Sequence, residues 1–104
     1  MRVKIPREIK IGTLVYKVVL LSNMVADNRL LGQTDARKEE IQIDKDIPRS
    51  CKNVTLIHEV IEVAKDVYRI TITDEDIDRV ASGIGELLFN NLGIVFDWSD
   101  IETK

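Results

Sequence analysis

The sequence predicts an α+β fold: a small, mainly antiparallel sheet followed by two packed helices. Three observations lead there. The first 50 residues are rich in β-branched side chains and short turn signals, whereas helical periodicity dominates from residue 51 onward. The dipeptide Gly12-Thr13 separates "EIKI" from "LVYKVVL", which is the spacing of a two-residue hairpin. Two segments, 52–68 and 74–90, repeat apolar residues at the i, i+3, i+4 spacing of amphipathic helices.

The strands follow in order. Residues 2–5 and 8–11 flank Pro6, and "LVYKVVL" continues after the hairpin. Asp27-Asn28 marks a polar break. "RLLGQTD" and "EEIQID" form a second strand pair across Ala36-Arg37-Lys38. In the latter, Ile41 and Ile43 alternate with Glu40, Gln42 and Asp44, so one face of that strand is expected to meet solvent. Pro48 cannot continue a central strand and closes the β half.

In the first helix, Leu56, Ile57, Val60, Ile61, Val63, Ala64, Val67 and Tyr68 fill one broad arc. The narrow remaining stripe holds Thr55, His58, Glu59, Glu62, Lys65 and Asp66. So much apolar surface calls for cover on two sides, which places the polar stripe in a cleft. The second helix opens with Thr73 as N-cap and with Asp74, Glu75 and Asp76 on the positive end of the dipole. Its expected buried stripe is Ile77, Val80, Ala81, Ile84, Leu87 and Leu88. Gly85 lies on the edge of that stripe, where it would permit close approach. "NNLG" ends the helix, with Gly93 as the reversal, and "IVFDW" is expected to pack Phe96 or Trp98 on the core.

A chain of 104 residues with 44% hydrophobic content is one domain by length, with a strand-rich half (1–50) and a two-helix half (51–104). The net charge of -3 argues against a nucleic-acid partner. Arg2, Lys4, Arg7 and Lys10 read as the exposed face of strands. Cys51 is the single cysteine, so an intramolecular disulfide and a zinc ribbon are both ruled out. It reads as a small buried residue. Together with the lack of a signal-peptide pattern, it predicts a cytoplasmic protein. No apolar run approaches the roughly 20 residues of a membrane helix, so no membrane association is expected. An uncovered edge strand would allow a homodimer.

The chemistry is concentrated in "TLIHEVIEVAKDVY" (55–68), which carries the chain's one histidine. His58 and Glu62 are four apart and lie one above the other on a helix, so both can hold one ion. Glu59, rotated by one position, corresponds to the general base in His-Glu-x-x-His zinc sites. With glutamate in the last position, the donor set of one imidazole and carboxylates is harder than two imidazoles. It admits manganese, magnesium or calcium beside zinc. From the second helix, Asp74 or Asp78 can reach this stripe. The same residues also suit a wet helix face with an ordinary i,i+4 contact and a capped helix start.

N-terminal strand pairs, then the His-Glu helix, then "TDEDIDRVASGIGELLFNN": this order resembles the small phage- and prophage-type proteins related to minimal zincin-like metallopeptidases. Their wider relatives cleave phage repressors and include a radiation-response regulator of similar fold. The likeness covers nearly the whole chain as a pattern, and the His-Glu helix is its specific part. It implies a third ligand at the start of the following helix, seven residues before a small residue. Counting back from Ala81 gives Asp74, where histidine or glutamate is usual.

The implied reading has His58, Glu62 and Asp74 binding a divalent cation, foremost zinc, with Asp78 the substitute for Asp74. Glu59 would be the base, and a peptide substrate would lie along an edge strand and be hydrolysed. The alternative is a catalytically inactive relative that serves as a protein-interaction module without metal.

Overall fold

The computed structural model describes residues 1–25 and 30–104; the predicted break at Asp27-Asn28 lies outside them. Strand β2 (Glu8–Ile11) turns at Gly12-Thr13 into β3 (Leu14–Leu21), in antiparallel register with Ile11 opposite Leu14. Gly12 has φ 60° while Thr13 has no positive φ, the II′ pattern that suits the twist of a hairpin. A second hairpin joins β4 (Gly32–Asp35) to β5 (Glu40–Asp44), with the Asp35 carboxylate accepting from the N–H groups of Arg37 and Lys38.

The sheet is mixed rather than mainly antiparallel. Its order is β2-β3-β5-β4, and β5 runs parallel to β3, with Val18 beside Ile41 and Leu20 beside Ile43. A short strand β7 (Glu102–Thr103) also joins β3 in parallel, beyond the end of β2. Separately, β1 (Arg2–Lys4) pairs in parallel with β6 (Val95–Asp97). Alternation in a sequence fixes which face a residue takes but not which strand lies beside it or in which direction. The second hairpin docks with β5 inward, so β5 becomes a central strand and β4 an edge.

That placement overturns the expected wet face of β5. All five of its residues are buried, Glu40, Gln42 and Asp44 included. On the helix-facing side, Ile41 and Ile43 are fully enclosed, each contributing roughly 1.5–3 kcal/mol of burial. They pack with Val18, Leu20, Leu56 and Val63 in one core cluster.

Helix α1 (Arg49–Tyr68) begins three residues before the predicted start. Pro48 serves as its N-cap residue: proline needs no N–H partner, and its carbonyl accepts from the Lys52 N–H at 3.0 Å. Arg69, in the left-handed region at φ 54°, closes the helix by donating to the Lys65 carbonyl. Cys51 is exposed in the first turn rather than buried, and Tyr68 is exposed at the last.

Helix α2 (Asp74–Gly85) starts as expected, with Thr73 Oγ1 accepting from the Asp76 N–H at 3.1 Å. Glu86–Asn91 then continue as a π-helical segment. Packed on α1 from one side only, α2 buries the narrow line Ile77, Ala81 and Gly85. Val80, Ile84 and Leu87, expected in the stripe, are exposed. A Cβ on Gly85 would lie 3.3 Å from Val54 Cγ2, so the missing side chain permits the close crossing of the helices. Phe89 meets Phe96 edge-on at 4.9 Å between ring centres, and Phe96 and Trp98 both pack against the core. Among the described residues, no helix is long and apolar enough to cross a membrane.

Candidate metal centre

The polar stripe of α1 lies between edge strand β4 and the start of α2. A cleft of about 440 Å³ there is lined by Tyr16, Gln33, Thr34, His58, Glu59, Glu62, Asp66 and Asp74, among others. A more apolar recess of about 270 Å³ adjoins it on the side of Leu31, Val54 and Asp78 and shares His58 and Glu59. The stripe is enclosed because α1 is covered by the sheet on one flank and by α2 on the other.

His58 is held at one ring nitrogen and faces carboxylates with the other. Its Nδ1 is 2.7 Å from Asp78 Oδ1. That contact fixes the ring so that its other nitrogen, Nε2, faces the cleft. Nε2 lies 3.6 Å from Glu62 Oε1 and 3.9 Å from Glu59 Oε2. These distances are too long for hydrogen bonds. The shorter one does suit two donors to a common ion: atoms about 2.1 Å from zinc at the tetrahedral angle are about 3.4 Å apart.

Glu59 is buried, and Thr34 Oγ1 donates to its Oε1 at 3.1 Å. The other oxygen, Oε2, is the one facing His58. Burial raises the pKa of Glu59, against the opposing pull of His58 and the Thr34 hydrogen bond. Glu62 is also raised, first by burial and then by a hydrogen bond and negative charge from Asp74. The neighbouring carboxyl makes ionisation of Glu62 costly, a cost that a bound cation would relieve.

Of the sequence-predicted residues, His58, Glu59, Glu62 and Asp74 thus line one cleft. Asp78 reaches the histidine from behind, through Nδ1, rather than as a third donor at Nε2. This is where the orienting carboxylate of a metal-bound histidine belongs. Among the described residues, no three His, Cys, Asp or Glu side chains are already gathered into a group that would hold a metal ion. The donor types and the His58–Glu62 spacing fit zinc, and Asp74, already against Glu62, is the nearest candidate to complete the set. Thr34 carried no signal in the sequence: it lies 25 residues from Glu59, and only the docking of β4 on α1 brings them together.

Comparison with protein-family models, with curated proteins and with solved structures returns no match.

Proposed function

We propose that this chain is a metal-dependent peptidase-like protein of the minimal zincin type, of phage or mobile-element kind, that hydrolyses a peptide bond. The supporting observation is the imidazole held by Asp78, with Nε2 aimed at Glu62 across 3.6 Å. His58, Glu62 and Asp74 would hold zinc, or another divalent cation. When bound, the ion would polarise the scissile carbonyl and lower the pKa of water. Glu59 takes a proton from the attacking water through Oε2 while Thr34 holds Oε1. Burial suits this role, because a raised pKa brings a carboxylate closer to the working range of a general base. Among the described residues, strand β4 has a partner on one side only. Its free edge borders the cleft and offers main-chain hydrogen bonds to an extended peptide.

A second reading, an inactive relative that binds a protein partner without metal, is favoured by the absence of an assembled three-donor group among the described residues. Metal content decides between them. Untagged protein, analysed by mass spectrometry after exposure to zinc, is expected to retain one ion per chain and His58→Ala to retain none. If neither binds zinc, and zinc leaves the melting temperature unchanged, the peptidase reading falls.

A further inference from the structure

At the far end of α1 from the cleft, three cationic side chains line a third cavity. Pairing of β1 with β6 sets Arg2 next to Asp97, at 3.7 Å. Arg49 and Lys52 are three apart in the first turn of α1 and project on one face. Trp98 follows β6, and its indole N–H donates to Asn53 Oδ1 at 2.8 Å, which fixes the ring beside that turn. Arg2, Arg49, Lys52, Asp97 and Trp98, with Phe96, line a cavity of about 420 Å³. That volume falls within the roughly 300–1,000 Å³ of small-molecule sites.

The charges here are unbalanced. Asp97 is the lining acid, and it is already engaged: it pairs with Arg2 and accepts from the Ser99 N–H at 2.9 Å. Among the described residues, no carboxylate forms an ion pair with Arg49 or Lys52. The first turn of α1 holds no acid either, so the helix dipole adds to the positive potential rather than offsetting it. The net charge of -3 conceals this local excess. Guanidinium and ammonium groups beside an indole combine phosphate binding with a flat surface for a ring.

We propose that the pocket walled by Arg2, Arg49, Lys52 and Trp98 binds a nucleoside phosphate, the cations holding the phosphate and the indole holding the base. A free nucleotide and the end of a single-stranded nucleic acid present the same chemistry. The site does not depend on the metal reading of the cleft.

Trp98 is the single tryptophan of the chain, so its emission reports this pocket alone. The full chain is titrated with inorganic phosphate, with adenosine monophosphate and with a short oligothymidylate. Adenosine monophosphate is expected to quench saturably and inorganic phosphate to bind about tenfold or more weakly. The Arg49→Ala/Lys52→Ala double variant should lose about tenfold or more in affinity, while His58→Ala binds as wild type. Circular dichroism checks that each variant is folded, and Lys52→Gln alone replaces the double variant if that one is not. Tighter binding of the oligonucleotide, with a steeper salt dependence, identifies nucleic acid as the source; tighter binding of the mononucleotide identifies a free nucleotide. No saturable response to either at millimolar concentration overturns the proposal. So does undiminished affinity in the folded variant, or inorganic phosphate binding as well as the nucleotide.

Discussion

The two faces of the sheet bury acids in opposite ways. On the face away from the helices, Glu40 is met by Lys104 Nζ and by Gln42 Nε2, and Gln42 in turn accepts from Gln33. Those hydrogen bonds and the lysine's charge outweigh desolvation, and the Glu40 pKa falls. On the helix face, Glu59 and Glu62 face an imidazole, Asp74 and each other, and both pKa values rise. The residue types are the same, but one set has a lysine beside it, whereas the other has a single hydroxyl donor, from Thr34, and neighbouring acids. A buried acid supplied with donors is a structural element. A group of acids short of positive charge is a place for a cation or a proton, and perturbed carboxyls in a cleft are how functional sites present themselves.

Substitutions can sharpen this contrast. The largest effect is expected at Glu59. In the zinc-loaded protein, Glu59→Gln should keep the ion but lower peptide hydrolysis by about 10²–10⁴-fold. The assay is turnover of a quenched peptide library beside metal analysis, and unchanged turnover would point to a contaminating protease. Next comes Asp78→Asn, which keeps the shape but weakens the hold on Nδ1. Zinc affinity by competition with a chelating dye should fall about 10–100-fold; an unaltered affinity would mean that Asp78 does not orient the ring.

On the opposite face, Gln42→Leu removes the link between Gln33 and Glu40 at nearly constant volume. Urea unfolding should show a loss of about 1–3 kcal/mol with zinc binding intact. A loss of zinc affinity there would break the separation of the two faces. The smallest effect on stability is expected for Glu62→Gln, which removes a charge that burial and Asp74 disfavour. Metal-free protein carrying it should melt about a degree or two higher, while its zinc affinity drops.

Acidity separates the faces in the same way. A carboxyl with a raised pKa opposes folding once ionised, and the penalty disappears as pH falls toward the ordinary value of 4.5. A carboxyl with a lowered pKa, such as Glu40 or Asp97, stabilises above 4.5 for Glu40 and above 3.8 for Asp97 and loses that contribution as pH falls through the depressed value. Metal-free protein is therefore expected to gain melting temperature on mild acidification and lose it on further acidification. Saturating zinc should remove the rise, because the cation then neutralises Glu62. A melting temperature that falls from neutral pH downward would contradict this assignment.

What the sequence disclosed follows the range of each interaction. His58 above Glu62 is a property of one helical turn, and the Thr73 cap is equally local, so both are legible without a fold. The close approach at Gly85 followed from stripe geometry. Strand direction was not legible, because a hairpin reads the same whether β5 or β4 docks beside β3. Nor was the burial of Glu40 and Gln42: alternation reveals two faces, while the cover on the second comes from Gln33 and from Lys104, 64 residues away from Glu40. The exposure of Val80, Ile84 and Leu87 was hidden for a similar reason, since a periodic stripe does not state how many neighbours it has.

The pairing of β7 with β3 has a consequence for synthesis on the ribosome. The β7 partners of Val19 and Leu20, Glu102 and Thr103, are joined to the chain more than 80 positions later. Until then, one margin of β3 has main-chain groups open to any passing strand, and Glu40 lacks its lysine. A nascent chain is thus exposed to mispairing along that margin until β7 emerges, and a pause engineered between β3 and β7 should increase aggregation of the newly made protein.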